Sequence, residues 1–288
     1  MFEGIRARYA QHFQVQFKVG PWPTNAVVAI PYPITHQQQQ VREVHIQTNG
    51  QYEDHGGCFI VRNATQAVVT AELTTQPFRP TAQLPDSIVW PAIESDYYYL
   101  QPDHYIQSEL ETIRTKAQRL VMPNQPIKTL HALYDHCLET LHYGQPIPGL
   151  YTTQQALTLD YVDCGGFSTY LGALCQAASI PSRIVAGFWA GYRQNGMHAW
   201  VEALLADGTW WPMDASIDWL HRKHRTRKLG GFGELGSDRI VINVGSNHEL
   251  IVRGQHYSVG MFQWPMQLNL DGSISYLDSV TKLTTTRV

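Results

Sequence analysis

A cysteine at the head of an apolar helix, followed at once by two glycines, is a place where a sulfur can act as a nucleophile. The stretch DCGGFSTYLGALCQAASIP offers one at Cys164. Phe167, Leu171, Leu174, Cys175 and Ala178 fall on one helical stripe, and Pro181 stands just past its end. The predicted helix therefore opens at Cys164. Backbone amides at a helix start have no intrahelical partner and the dipole there is positive, which favours a thiolate. Gly165 and Gly166 are expected to leave room for a substrate to reach the sulfur. The bland alternative, a small buried apolar residue, suits Cys175 better, because it sits mid-helix on the core stripe.

A thiol nucleophile needs a base, and the base needs a group to fix its tautomer. In MHAWVEALLADGTWWPMD, His198, Trp200, Glu202 and Leu204 alternate with smaller apolar residues, the pattern of a strand. Asp207-Gly208 signals a hairpin, and Thr209–Met213 is the return strand. His198 and Asp214 then belong to adjacent strands. A plain two-residue turn would set Val201 against Asp214 and point the carboxylate away from His198. A one-residue offset would set it level with Trp200, on the histidine's face. The expectation is an irregularity between Ala206 and Asp214, with Pro212 as its marker.

The elements that must position these residues follow from pattern. Val27–Ile30, Val41–Gln47, Phe59–Arg62 and Ala67–Leu73 read as short strands of an antiparallel sandwich. Pro77, Pro80, Pro85, Pro91 and Pro102 mark a linker ending near Asp103. Helical spacing begins at Ser108, recurs over Ile127–Leu141, and is brief at Thr153–Thr158. Helices before strands indicate an α+β domain. The division is a β-rich N-terminal domain with linker over 1–103 and a catalytic domain over 104–288. The 288 residues carry a formal charge of −3 and are 16% charged, which excludes a basic nucleic-acid binder and a disordered tail. No run suits a membrane span or a signal peptide, so a cytoplasmic protein is expected. The four cysteines show no CxxC spacing, so each reads as a free thiol. The basic run at His221–Lys228 is either a solvated loop or a patch that steers acidic substrates. Trp189, Trp200, Trp210 and Trp211 are core or cleft residues, and Glu202 is expected at an exposed rim.

DCGGFSTYLGALCQAASIPSRIVAGF closely resembles the nucleophile helix and following strand of the transglutaminase-like superfamily. HAWVEALLADGTWWPMDAS resembles its histidine–aspartate hairpin, FGELGSDRIVINVGSNHEL the continuation in microbial members, and PYPITHQQQQVREVHI the β-rich domain that often precedes the core. The resemblance implies a papain-like α+β fold and a Cys–His–Asp triad at Cys164, His198 and Asp214. Val162 stands where members usually have glycine, two residues before the nucleophile. One oxyanion donor is expected to be the Cys164 amide, with Gln154 or Gln155 as candidates for the second. Neither the acidic calcium sites of animal members nor paired CxxC zinc ligands occur, so no metal or cofactor is expected. The implied activity is thiol-dependent hydrolysis of an amide in a peptide or protein. Acyl transfer from glutamine to a primary amine is the alternative, and a non-catalytic binding module with a decayed site is a third reading.

Overall fold

The structure is a computed structural model that describes residues 7–79, 98–192 and 196–286. Six strands come first: β1 (Gln11–Val19), β2 (Val27–Pro31), β3 (Gln39–Thr48), β4 (Gln51–Asp54), β5 (Cys58–Arg62) and β6 (Ala67–Thr75). Four helices follow: α1 (Glu111–Leu120), α2 (Pro126–Thr140), α3 (Thr153–Thr158) and α4 (Cys164–Ala177). Then come β7 (Ser182–Trp189), β8 (Met197–Leu204), β9 (Trp210–Met213), helix α5 (Ala215–Arg222), β10 (Gly230–Gly231) and β11 (Glu234–Leu235). The chain finishes with β12 (Arg239–Val244), β13 (His248–Val252), β14 (Gln255–Val259), β15 (Met266–Leu268), β16 (Ile274–Tyr276) and β17 (Ser279–Thr286).

These elements divide into two units. One comprises Met1–Pro77, Ala186–Met197 and Ser237–Val288; the other comprises Phe78–Val185 and His198–Gly236. The division is not the single cut at residue 103 expected from pattern. The reason is pairing at long range: β1 lies between β6 and β17, and β2 between β5 and β15. Hydrophobic pattern marks a strand but does not name its partner. Of the proline-rich linker, Pro80, Pro85 and Pro91 lie outside the described residues.

In the first unit, period-two alternation builds a sandwich. Phe13, Val15, Phe17 and Val19 of β1 all face inward, and the even-numbered residues between them are less buried. The sheet β17-β1-β6-β3 and the sheet β16-β15-β2-β5-β4 share one core, in which Phe17 and Val69 of the first join Val28, Ile30 and Val61 of the second. Strand β12 runs beside the end of β7 in this unit, where Ala190 N–H donates to the Asp238 carbonyl at 2.8 Å.

The second unit is built around α4. Every residue from Gly165 to Gln176 is buried, so the helix is apolar on all sides and packs against α1, α2, α3 and α5. Glycines let neighbours approach: a Cβ on Gly166 would lie 2.5 Å from the Val162 Cβ, and one on Gly165 would lie 3.0 Å from Leu150 Cδ1. The two glycines therefore admit the preceding loop rather than a substrate. The Val162 side chain fills the space that Gly166 leaves. Among the described residues, no helix is long and apolar enough to cross a membrane.

Candidate active site

Cys164 is the first residue of α4, and its helix is capped by Asp163. Asp163 Oδ1 accepts from the Gly165 and Gly166 amides at 2.8 and 3.3 Å, while Oδ2 accepts from the Ile147 amide at 3.0 Å. One buried carboxylate thus closes the helix end and ties the 144–150 loop to it. Cys164 is partly exposed; Cys58, Cys137 and Cys175 are buried, and all four are free thiols. Cys137 accordingly packs in the core, its thiol 3.8 Å from the Phe167 carbonyl.

His198 arrives on β8 and Asp214 at the end of its hairpin. The register pairs Val201 with Met213, Glu202 with Pro212, Ala203 with Trp211 and Leu204 with Trp210. Continued by one step, it sets Asp214 level with Trp200, the offset that brings the carboxylate to the histidine's face. The offset comes from an odd-length turn: Leu205 N–H donates to the Thr209 carbonyl at 2.8 Å across Ala206, Asp207 and Gly208, and Gly208 takes the left-handed φ of 85°. Pro212 is not its marker, since pairing runs unbroken through it. Proline is tolerated there because β9 is the edge of its sheet.

Asp214 serves two structures at once. Its Oδ2 lies 2.7 Å from His198 Nε2, and its Oδ1 accepts from Ser216 Oγ at 3.0 Å and from the Ile217 amide at 3.1 Å, capping α5. The imidazole is 3% exposed, and the Trp200 ring stacks at 6.1 Å between centroids. The Ala199 amide, next to His198, is near enough to the Cys164 thiol to lower its pKa, which sets the thiol close to this strand.

The thiol's electrostatics differ from the sequence expectation of a ready thiolate. Burial pushes its pKa up, the neighbouring Asp163 carboxylate adds to this, and Asp214 does so more weakly. The Ala199 and Gly165 amides pull it down without reversing the sign. A helix start favours a thiolate only when its amides face the sulfur, and here Asp163 takes two of them.

Tyr143 is a site neighbour that residue spacing did not reveal. It bridges in parallel to Val162, with Val162 N–H donating to the His142 carbonyl and Gly144 N–H to the Val162 carbonyl, both at 2.9 Å. Its ring lies 6.2 Å from Phe167, one turn along from Cys164. Burial raises the phenol well above its usual pKa, and the charges of Cys164, Asp163 and Asp214 push the same way, so it stays protonated. The one sequence signal is an aromatic residue in a short non-helical break after α2.

Other expected residues lie elsewhere. Gln155 caps α3: its Oε1 accepts from Thr152 N–H at 2.9 Å while its own N–H donates to Thr152 Oγ1 at 3.1 Å. Gln154 is exposed on the same helix, and its N–H donates to Gln107 Oε1 at 2.9 Å. Glu202 is not at an exposed rim. It is fully buried, and Oε2 accepts from Arg183 Nε and Nη2 at 3.0 and 2.8 Å. Trp210 covers that guanidinium at 3.8 Å, and Trp211 packs edge-on against Phe78 at 5.3 Å. Trp189 belongs to the first unit. Among the described residues, no group of three or more His, Cys, Asp or Glu side chains is placed to hold a metal ion.

Comparison with known proteins places this architecture. The transglutaminase-like superfamily profile matches residues 114–215, which include Cys164, His198 and Asp214. The crystal structure of a candidate cysteine protease from Cytophaga hutchinsonii superposes with a TM-score of 0.56 at 17% identity, covering 96% of this chain and 98% of that one. The periplasmic domain of TgpA from Pseudomonas aeruginosa gives a TM-score of 0.44 at 18% identity, over 78% of this chain and 93% of that one. No curated protein sequence matches. The fold is α+β with a β-rich N-terminal region, and residues 114–215 match the model of the transglutaminase-like superfamily.

Proposed function

We propose that the chain is a cysteine-dependent amide hydrolase. Cys164 attacks the amide carbonyl carbon while its proton passes to His198 Nδ1, and Asp214 stabilises the imidazolium through Nε2. The Cys164 backbone N–H and the Tyr143 hydroxyl hold the oxyanion of the tetrahedral intermediate. His198 then gives its proton to the amine as the C–N bond breaks, leaving a thioester on Cys164. Water attacks that thioester, His198 takes a proton from it, and the sulfur leaves to be reprotonated as the acid departs. The observation that carries this reading is the buried 2.7 Å His198–Asp214 bond, with Cys164 partly exposed at the head of α4. Burial and the neighbouring carboxylates hold the thiol's pKa up, and in this reading His198 works as its general base. Four free cysteines suit a reducing compartment, so the cytoplasm is part of the proposal.

The test is incubation with a glutamine-bearing peptide, with and without a labelled primary amine, followed by mass spectrometry. We expect hydrolysis products and a thioester adduct on Cys164, both lost in Cys164→Ala. Incorporation of the amine instead would replace hydrolysis with acyl transfer. Equal product from wild type and Cys164→Ala would end the thiol reading.

A further inference from the structure

The basic run after α5 is not simply a solvated loop. Arg222 is held by Asp135 and Asp218 at 3.2 and 3.5 Å. Lys223 and Arg225 do something else. The chain turns sharply at His224, whose φ is 54°, and Arg225 N–H donates back to the Leu220 carbonyl at 2.8 Å. That turn sets both cations against one ring: Lys223 Nζ lies 5.5 Å and Arg225 Cζ 5.8 Å from the centroid of Trp219. Both side chains are exposed.

Trp219 also stands edge-on to His142 at 6.1 Å, and His142 lies the same distance from Tyr161, which is 49% exposed. A row of rings thus runs from Tyr161 through His142 to Trp219 and ends in two cations. His142 precedes Tyr143, whose phenol feels the charges of both Cys164 and Arg225. The row belongs to the same neighbourhood as the thiol. Trp219 itself is buried, so the exposed Tyr161 and His142 rings and the two cations held against Trp219 are the surfaces that an extended peptide carrying a negative charge would meet. A net charge of −3 gives this local excess no support from the rest of the molecule, so it acts as a local feature.

We propose that the substrate is an anionic peptide whose carboxylate docks on Lys223 and Arg225 over Trp219 while its amide reaches Cys164. This rests on the thiol-hydrolase reading and names its substrate class. Two reagents of similar size separate the charge from the chemistry: iodoacetate is anionic and iodoacetamide neutral. The readout is the ratio of their rate constants for Cys164, in wild type and in the full-length double variant Lys223→Gln, Arg225→Gln. We expect the variant to lower the iodoacetate-to-iodoacetamide ratio about three- to tenfold, and 0.5 M salt to lower it in wild type. A ratio unchanged in both would overturn the proposal. A Cys164 inert to both reagents would instead overturn the underlying thiol reading, and this proposal with it. Protection of Cys164 from iodoacetamide then identifies the carboxylate's source. Glutamyl peptides with an amidated end test a side-chain carboxylate, and glutaminyl peptides with a free end test a terminal one. Either should protect wild type at a concentration at least about threefold lower than the variant. Equal protection by a neutral amidated peptide would also overturn the proposal.

Discussion

Replacing Asp214 with Asn asks one oxygen to do the work of two. In the native site Oδ2 faces His198 Nε2 at 2.7 Å, while Oδ1 accepts from Ser216 Oγ at 3.0 Å and the Ile217 amide at 3.1 Å. If the asparagine oxygen stays on the helix cap, its NH₂ meets Nε2, which must then accept. The ring proton moves to Nδ1, the nitrogen that has to receive the thiol proton. If the amide flips instead, the imidazole tautomer is right, but NH₂ meets the Ile217 N–H. That loses a cap of about 1 kcal/mol and leaves a buried amide unsatisfied at about 1–3 kcal/mol. These costs overlap, so we take the flip as about 2–3 kcal/mol. The productive orientation is then populated about 1 part in 30 to 1 part in 150, at about 1.4 kcal/mol per tenfold. The expected loss is of that size, smaller than the ~10⁴ known for the equivalent change in a serine-protease triad. The assay is the pH–rate profile of Cys164 alkylation by iodoacetamide, with turnover alongside once a substrate is known. Melting should change little, because the favoured orientation keeps the cap. A wild-type rate and pH profile in a folded Asp214→Asn protein would refute the reasoning and remove Asp214 from the mechanism.

Tyr143→Phe removes a hydroxyl and little else, and should lower kcat about 10- to 10³-fold with KM nearly unchanged; a loss confined to KM would count against an oxyanion role. Asp163→Asn removes the carboxylate that adds most to the burial effect on the thiol, so the pH profile of Cys164 labelling should move down and labelling at pH 7 should rise about two- to tenfold. An upward move would contradict that electrostatic account. For stability the sign is the reverse of an ordinary salt-bridged carboxylate: Asp163 is raised by burial, so its contribution is greatest below the unfolded carboxylate range and is lost as pH rises through its folded pKa. Glu202→Ala strands the Arg183 guanidinium, and at about 3 kcal/mol should lower Tm by roughly 6–10 °C without moving the pH profile.

The parts of the fold that local periodicity controls were legible in the sequence. Thr153–Thr158 forms α3 as its pattern implies, and the stripe from Phe167 to Cys175 lies within α4. The hairpin offset could be deduced from side-chain alternation alone, although its cause could not: the odd turn is closed by Gly208, and Pro212 only looked the more unusual residue. The alternating residues Phe13 to Val19 carry the same period-two signal and form β1. What could not be read depends on partners far away in the chain. Glu202 looks like a rim residue until Arg183 arrives on the neighbouring strand. The thiol looks activated until Asp163 turns back onto the helix amides. The capping role of Gln155 has a local signal, since Thr152 and Gln155 stand at the spacing of a capping box.

The pairing of β1 with β17 and of β2 with β15 has a consequence for how the polypeptide is made. The ribosome releases the earliest strands of the sandwich some two hundred and fifty residues before their last partners, Met266–Leu268 and Ser279–Thr286. Until then β1 and β2 each present one open edge, with β6 and β5 covering the other. At about 5–20 residues per second the wait lasts about 12–50 s, long compared with the folding of helices from local contacts. A chain cut short before residue 266 would keep Cys164, His198 and Asp214 yet expose two sticky strand edges. Premature termination in this protein should therefore appear as aggregation rather than as a smaller active fragment.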